Sequence, residues 1–117
     1  MDRMSNRATE PLSNLEYHVL LSLAGRALYG YAIKEAVAAE SGGVLQPRAG
    51  SLYRVLARLM SRGFVDEVAA RAHDEPHPGL ERKYYGLTER GRTVLRAEAF
   101  RQREAAKLAE RRLRHVN

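Results

Sequence analysis

Arg54, Arg58 and Arg62 stand four residues apart and form the pattern in this chain that most clearly suggests chemistry. Such spacing places side chains on one face of a helix, and no acidic residue stands between Glu40 and Asp66 to neutralise them. A second, apolar set repeats at i, i+3, i+4, i+7 and i+8, which predicts the face that packs on a core. Its members are Leu52, Val55, Leu56, Leu59 and Met60. A helix with one apolar and one cationic face is suited to binding nucleic acid.

The composition is that of one small, basic domain. With 117 residues and a formal net charge of +6, the chain favours polyanionic partners such as DNA or RNA. It has no cysteine, which excludes disulfides, a thiolate nucleophile and a cysteine-ligated metal. It contains no catalytic nucleophile motif and no phosphate-binding glycine loop, so we expect neither an enzyme nor a cofactor. No apolar run approaches the length of a membrane span, which predicts a cytoplasmic protein without membrane contact.

Capping and glycine signals predict three short helices after an irregular leader at residues 1–12. Ser13 and Glu16 form a capping-box pattern that begins the first helix. This helix is apolar around most of its circumference, so we expect a second subunit to cover one side of it. The second helix carries the core pair Ile33 and Val37, and the third is the arginine-bearing helix. The three predicted helices cover residues 13–25, 29–41 and 47–63.

Two strands, at residues 64–70 and 81–88, are predicted to form a hairpin wing. The loop between them carries His73 and His77, a pair that suggests a metal site. Two prolines and a glycine make this loop irregular, however, and no other histidine is near in sequence to complete a set of oriented ligands. We therefore predict no metal, while a metal-dependent sensor or enzyme using these histidines stays an alternative.

A long final helix is predicted from the cap Thr88 to about Arg114. One of its faces repeats at alternating spacings of four and three, which is typical of a helix that pairs with another helix. Together with Val19 of the first helix, this face predicts a homodimer interface. The interface residues are Val19, Leu95, Ala99, Gln102, Ala106, Ala109 and Leu113. The predicted organisation is a leader at residues 1–12, a DNA-binding domain at 13–88 and a dimerisation helix at 89–117.

The order helix, helix, helix, hairpin, long helix predicts a mainly α fold with a β wing, the winged helix-turn-helix. Within it, the segments 28–34, 47–53 and 82–91 read LYGYAIK, PRAGSLY and RKYYGLTERG. Together with Leu56, Leu59 and Gly63 they resemble the signature of PadR-type transcriptional regulators over residues 13 to about 95. A single helix beyond the wing is similar to the short type of this family. The family often has proline after the Leu-Tyr pair, where this chain has Arg54.

This architecture assigns DNA contacts to the third helix and the wing, since the third helix enters the major groove. Ser51 and Arg54 are the candidates for reading bases, because arginine forms bidentate contacts with guanine. Arg48 and Arg58 are expected on phosphate, and Arg62, near the helix end, is expected to be exposed. Tyr53 packs against the wing or donates to phosphate, and the resemblance favours phosphate. The full predicted DNA-binding set is Lys34, Arg48, Gly50, Ser51, Tyr53, Arg54, Arg58, Arg71, Arg82 and Lys83.

The resemblance also implies a possible small-molecule effector at the dimer interface. Gln102 lies in the middle of the predicted interface, where a buried polar group needs a partner or a ligand. The candidate effector-binding residues are Asn14, Leu15, His18, Gln102 and Ala106. A closed dimer without a cavity is an equal alternative. The sequence thus predicts a homodimeric repressor of an inverted-repeat operator in double-stranded DNA, with a winged-helix protein-interaction module as the alternative function.

Overall fold

Four helices and three short strands make up the part of the chain that the computed structural model describes, residues 11–69 and 82–114. In chain order they are α1 (Asn14–Ser22), β1 (Leu28–Tyr29), α2 (Gly30–Glu40), α3 (Ala49–Ser61), β2 (Val65–Val68), β3 (Tyr84–Leu87) and α4 (Glu89–Arg114). This order confirms the predicted winged helix-turn-helix fold with a long final helix. Residues 1–10 of the predicted leader at residues 1–12, and the histidine-bearing loop, lie outside the described residues.

The sheet is antiparallel with the order β1-β3-β2. Val65 pairs with Leu87 and Val68 with Tyr84, as expected for the two strands of the wing. The second edge of β3 pairs with β1, where Leu28 lies opposite Tyr85. No sequence pattern indicates this third strand, because two residues are too few to show an alternation of apolar and polar side chains.

The core lies where α1, α2 and α3 meet the sheet and the base of α4. Its fully buried side chains include Leu20, Ile33, Leu56 and Phe64. Val19 also has 0% exposure, so it has no surface with which to reach a second subunit. The prediction that Val19 belongs to the dimer interface is therefore wrong, because the core of the chain itself takes up this side chain.

The predicted capping box at the start of α1 is confirmed. The Ser13 N–H donates to Glu16 Oε1 at 2.7 Å, and the Glu16 N–H donates to Ser13 Oγ at 3.1 Å. Together these bonds satisfy two amide groups that a helix N-terminus leaves without partners.

Thr88 joins the start of α4 to the end of α3. Its hydroxyl donates to the Gly63 carbonyl at 2.6 Å and accepts from the Gly91 N–H at 2.9 Å. Its own N–H donates to the Phe64 carbonyl at 3.1 Å. Gly63 has a φ of +80°, which glycine adopts without steric cost and which turns the chain from α3 into β2. The predicted cap at Thr88 is thus confirmed, and it fixes the start of α4 to the end of α3.

The second half of α4 extends away from the core. Leu95 is buried against the core, whereas every described residue from Ala99 to Arg114 is exposed. The remaining predicted interface residues are all exposed in the single chain; they are Ala99, Gln102, Ala106, Ala109 and Leu113. Among the described helices, α4 included, none is both long and apolar enough to cross a membrane.

Candidate nucleic-acid interface

The exposed face of α3 carries the cationic residues that the sequence singled out. Arg48 is the N-cap residue of α3 and is exposed, as are Gly50, Arg54 and Arg58. The opposite face is buried through Leu52, Val55, Leu56 and Leu59, as predicted. Met60, which was predicted to share that face, is 37% exposed because it lies at its margin. The helix therefore presents a polar, positively charged surface along its length.

The two candidates for base reading lie together on the first turns of α3. Arg54 Nη2 donates to Ser51 Oγ at 3.3 Å, and the two side chains are one helical turn apart. Both belong to the N-terminal half of the helix, the part that approaches base edges when such a helix enters a major groove. The guanidinium has further donors beyond the one used on Ser51, so it retains the capacity for a bidentate contact.

Arg58 and Arg62 both pair with one acidic residue that is distant in sequence, which offsets part of their charge. Arg58 Nε lies 3.1 Å from Glu16 Oε2, and Arg62 Nη1 lies 3.8 Å from Glu16 Oε1. Glu16 belongs to α1, outside the segment between Glu40 and Asp66 that lacks acidic residues, so part of the charge on the arginine line is offset by a contact between two helices. The expected exposure of Arg62 was wrong, since its side chain is only 14% exposed and its guanidinium lies 4.9 Å from the centre of the Phe64 ring. Arg58 keeps 53% of its side chain exposed.

Glu16 is a buried carboxylate held in its charged form. Burial by itself raises its pKa, but the hydrogen bond from the Ser13 N–H, the hydrogen bond and charge of Arg58, and the charge of Arg62 outweigh that effect. The net result is a pKa of Glu16 below its ordinary value of 4.5. A residue that appeared in the sequence only as part of a helix cap therefore also ties α1 to α3.

The stability of the fold should depend on pH through Glu16. Because its pKa is lower in the folded state than the ordinary 4.5, its stabilising contribution is complete above about pH 5 and is lost as pH falls through the folded-state pKa. Glu16→Gln should therefore lower the free energy of unfolding at neutral pH, and the difference from the wild type should shrink in acid. Urea unfolding from pH 7 down to about pH 3 measures this difference.

A difference that stayed constant across that pH range would contradict this role of Glu16. Glu89→Gln is the matched control, because the Glu89 carboxylate is exposed and its pKa is lowered chiefly by a hydrogen bond from Arg92 within the same helix. Exposed pairs of this kind contribute little to stability, so the control should unfold almost like the wild type at every pH.

Tyr53 crosses from α3 to the start of α2, where Gly30 makes room for it. A Cβ atom on Gly30 would lie 2.2 Å from the Tyr53 hydroxyl oxygen, a distance that no side chain tolerates. Gly30 therefore allows the close approach of a tyrosine side chain from α3. Tyr53 is still 50% exposed. Lys34, predicted on phosphate, is partly buried, with its Nζ 5.9 Å from the centre of the Tyr31 ring.

The wing residues differ in how open they are to a ligand. The Arg82 guanidinium stacks 4.4 Å from the centre of the Tyr29 ring, and its buried Nη1 has no hydrogen-bond partner among the described residues. Lys83 is exposed. Arg71 lies outside the described residues. The DNA contacts assigned to these three residues stay predictions.

An apolar cleft of about 300 Å³ lies between α1 and the base of α4. Tyr17 and Leu21 line one side of it, and Leu95 and Ala99 the other. None of the five candidate effector residues lines it: Asn14, Leu15, His18, Gln102 and Ala106 lie elsewhere. Among them, the Gln102 amide donates to Glu98 in its own helix at 3.2 Å, and His18 Nδ1 lies 3.0 Å from the Asn14 carbonyl. The effector site therefore stays a prediction.

Metal binding has no support in the described ranges. No group of three or more His, Cys, Asp or Glu side chains within residues 11–69 and 82–114 is arranged to hold a metal ion. His73 and His77, the pair that suggested a metal, lie outside those ranges.

The family model that matches this chain is the transcriptional regulator PadR-like family, over residues 19–97. No curated protein matches the chain. Among solved structures, a PadR family transcription regulator from hypervirulent Clostridium difficile is similar with 23% identity and a TM-score of 0.70, over 86% of this chain and 99% of that one. A PadR-like regulator from Bacillus cereus has 21% identity and a TM-score of 0.69, over 85% and 90% of the two chains.

One further similar structure contains DNA. It is Bacillus subtilis PadR in complex with operator DNA, with 27% identity and a TM-score of 0.62. The match covers 76% of this chain and 48% of that one. Since the family model spans more than half of the sequence, and the chain has the fold of these structures, the protein belongs to the PadR-like family of transcriptional regulators.

Proposed function

We propose that this protein is a cytoplasmic, homodimeric transcriptional repressor that binds an inverted-repeat operator through α3 and the wing. The observation that supports DNA binding most directly is the cationic face of α3, where Arg48, Arg54 and Arg58 are exposed opposite a buried apolar face. The operator complex of the B. subtilis relative supports the same use of the fold. Ser51 and Arg54 read bases in the major groove, while Arg48, Arg58 and Lys34 contact phosphates.

Dimerisation is proposed to occur through the uncovered face of α4. Ala99, Gln102, Ala106, Ala109 and Leu113 recur on one side of this exposed helix, and the alanines allow a second helix to approach closely. A two-fold axis there would present two α3 helices to successive major grooves about 34 Å apart. A small molecule bound at this interface would change the separation of the two helices and release the DNA.

Binding to duplex DNA at increasing salt concentration tests the proposal. The three phosphate contacts per subunit named above give about six in a dimer, before any contact of the wing is counted. The logarithm of the association constant should therefore fall against the logarithm of salt concentration with a slope at least as steep as about −5. Fluorescence anisotropy with a labelled duplex from the region upstream of the protein's own gene measures this slope, and light scattering should give twice the chain mass of 13.2 kDa.

Absent or salt-insensitive binding would exclude the DNA-binding role and favour a protein-interaction module. A monomer mass at the concentration used for binding would exclude the dimer and, with it, the inverted-repeat operator.

A further inference from the structure

The carboxylate of Glu16 stands at the junction between α1 and the DNA-facing side of α3. Glu16 is 5% exposed, and Oε1 accepts a hydrogen bond from the Ser13 N–H at 2.7 Å. Oε2 accepts one from Arg58 Nε at 3.1 Å. The carboxylate is thus fixed by its own helix on one side and holds an arginine of α3 on the other.

The bond to Glu16 uses only the inner nitrogen of the Arg58 guanidinium. The two terminal nitrogens have no hydrogen-bond partner among the described residues, and 53% of the side chain is exposed. Arg58 follows Arg54 by one turn, so the two lie on the same side of α3. A guanidinium anchored at Nε keeps its outer nitrogens for a phosphate, to which arginine donates two parallel hydrogen bonds.

We propose that Glu16 is a positioning residue of the DNA interface, which anchors Arg58 so that its two terminal nitrogens are presented to a backbone phosphate. This inference rests on the proposed DNA-binding function. An arginine side chain that is ordered before binding loses less conformational entropy on contact with DNA than a free one. Glu16 thus strengthens DNA binding even though its charge has the same sign as DNA.

The direction in which DNA affinity changes when Glu16 is removed distinguishes this positioning role from simple neutralisation of charge. If Glu16 only offset the charge of Arg58 and Arg62, its removal would release cations and tighten binding to DNA. If it positions Arg58, its removal weakens binding. Glu16→Gln is the suitable change because glutamine has nearly the same shape and can still accept the Ser13 N–H, so the helix cap is retained.

The experiment is an anisotropy titration of the full chain with random-sequence duplex DNA over a range of salt concentrations. Glu16→Gln should weaken binding about fivefold, because an Arg58 side chain that is not anchored loses more conformational entropy on contact with a phosphate. Arg58→Ala should weaken binding at least as much and reduce the salt slope by about one contact per subunit. Adding Glu16→Gln to Arg58→Ala should cause little further loss, because Glu16 acts through Arg58. Ser13→Ala is the matched control: it also weakens the start of α1 but leaves the Glu16–Arg58 bond, so its affinity should equal that of the wild type.

Tighter or unchanged binding by Glu16→Gln, in a sample that melts well above the assay temperature, would overturn the inference. Additive losses in the double variant would overturn it as well. If the Glu16→Gln variant does not fold, Arg58→Lys tests the inference instead, because lysine keeps the positive charge but has no inner nitrogen to bind Glu16. Wild-type affinity of the Arg58→Lys variant for DNA would disprove the positioning role. Failure of the wild-type chain itself to bind duplex DNA would instead disprove the proposed function.

Discussion

Replacing Gly91 with alanine should destabilise the fold by about 3 kcal/mol, the upper part of the range for overpacked sites. A Cβ atom at this position would lie 2.0 Å from the Phe64 carbonyl oxygen, which is backbone and cannot rotate away. The first turn of α4 would have to move off the α3–β2 turn, and the Thr88 hydrogen bonds would be lost with it. Thermal unfolding at fixed protein concentration should show a Tm lower by about 10 °C.

Gly50→Ala is the control for this prediction. Gly50 also lies in the first turn of a helix, but the nearest atom to a Cβ there is the flexible Arg54 Nη1 at 3.6 Å, an ordinary contact. Because glycine is a poorer helix former than alanine, Gly50→Ala should leave the Tm unchanged or raise it slightly. Equal Tm values for the two variants would show that α4 does not need the close approach at Gly91.

Arg54→Ala should remove about 1–3 kcal/mol of discrimination between the operator and other sequences. Arg54 is exposed and near the start of α3, and among the described residues its hydrogen bond is to Ser51. A side chain that reads bases in the groove contributes mainly to the difference between specific and non-specific binding. Competition titrations, with the labelled upstream duplex against random-sequence duplex, measure that difference.

The variant Arg54→Lys distinguishes the contribution of base contacts at this position from the contribution of its positive charge. Lysine keeps the positive charge but lacks the planar pair of donors that guanine accepts, so this variant should keep the salt slope of the wild type while losing much of the discrimination. Full discrimination in both variants would assign base reading to another residue of α3. Arg111→Ala, at the exposed far end of α4, removes the same charge away from α3 and should change neither quantity.

The bounds of the helices were predictable because they depend on local signals. The capping box at Ser13, the glycine turn at Gly63 and the cap at Thr88 all act within a few residues, and each predicted helix end lies close to the observed one. The fold class followed from the order of these elements. The exposed face of α3 followed from the apolar repeat, which fixes by exclusion which side chains face solvent.

The contacts between elements could not be predicted in the same way. Glu16 stands 42 positions before Arg58 in sequence, so nothing local indicates their pairing. Val19 belongs to a helix that is apolar on most sides, and this pattern does not indicate which side packs on the core of the same chain and which is left for a second subunit. Arg82 is another case, since its contact with the Tyr29 ring depends on how β1 and β3 are placed. Each of these outcomes depends on tertiary packing. In each case the side chain lies in the predicted element, but it contacts other groups than the sequence pattern indicates.

In the proposed dimer, the hydrogen bonds of Thr88 would also affect how accurately the two α3 helices are spaced. A helix of 26 residues is about 39 Å long, so a rotation of about 5° about Thr88 moves its far end by about 3 Å. Conversely, in a dimer that held that far end, the same rotation would displace α3 relative to the DNA groove. The short bonds from one hydroxyl to Gly63 and Gly91, together with the packing of Leu95 in the core, limit that rotation. In the proposed dimer, the stiffness of this base of α4 would contribute to the tolerance for spacing between operator half-sites.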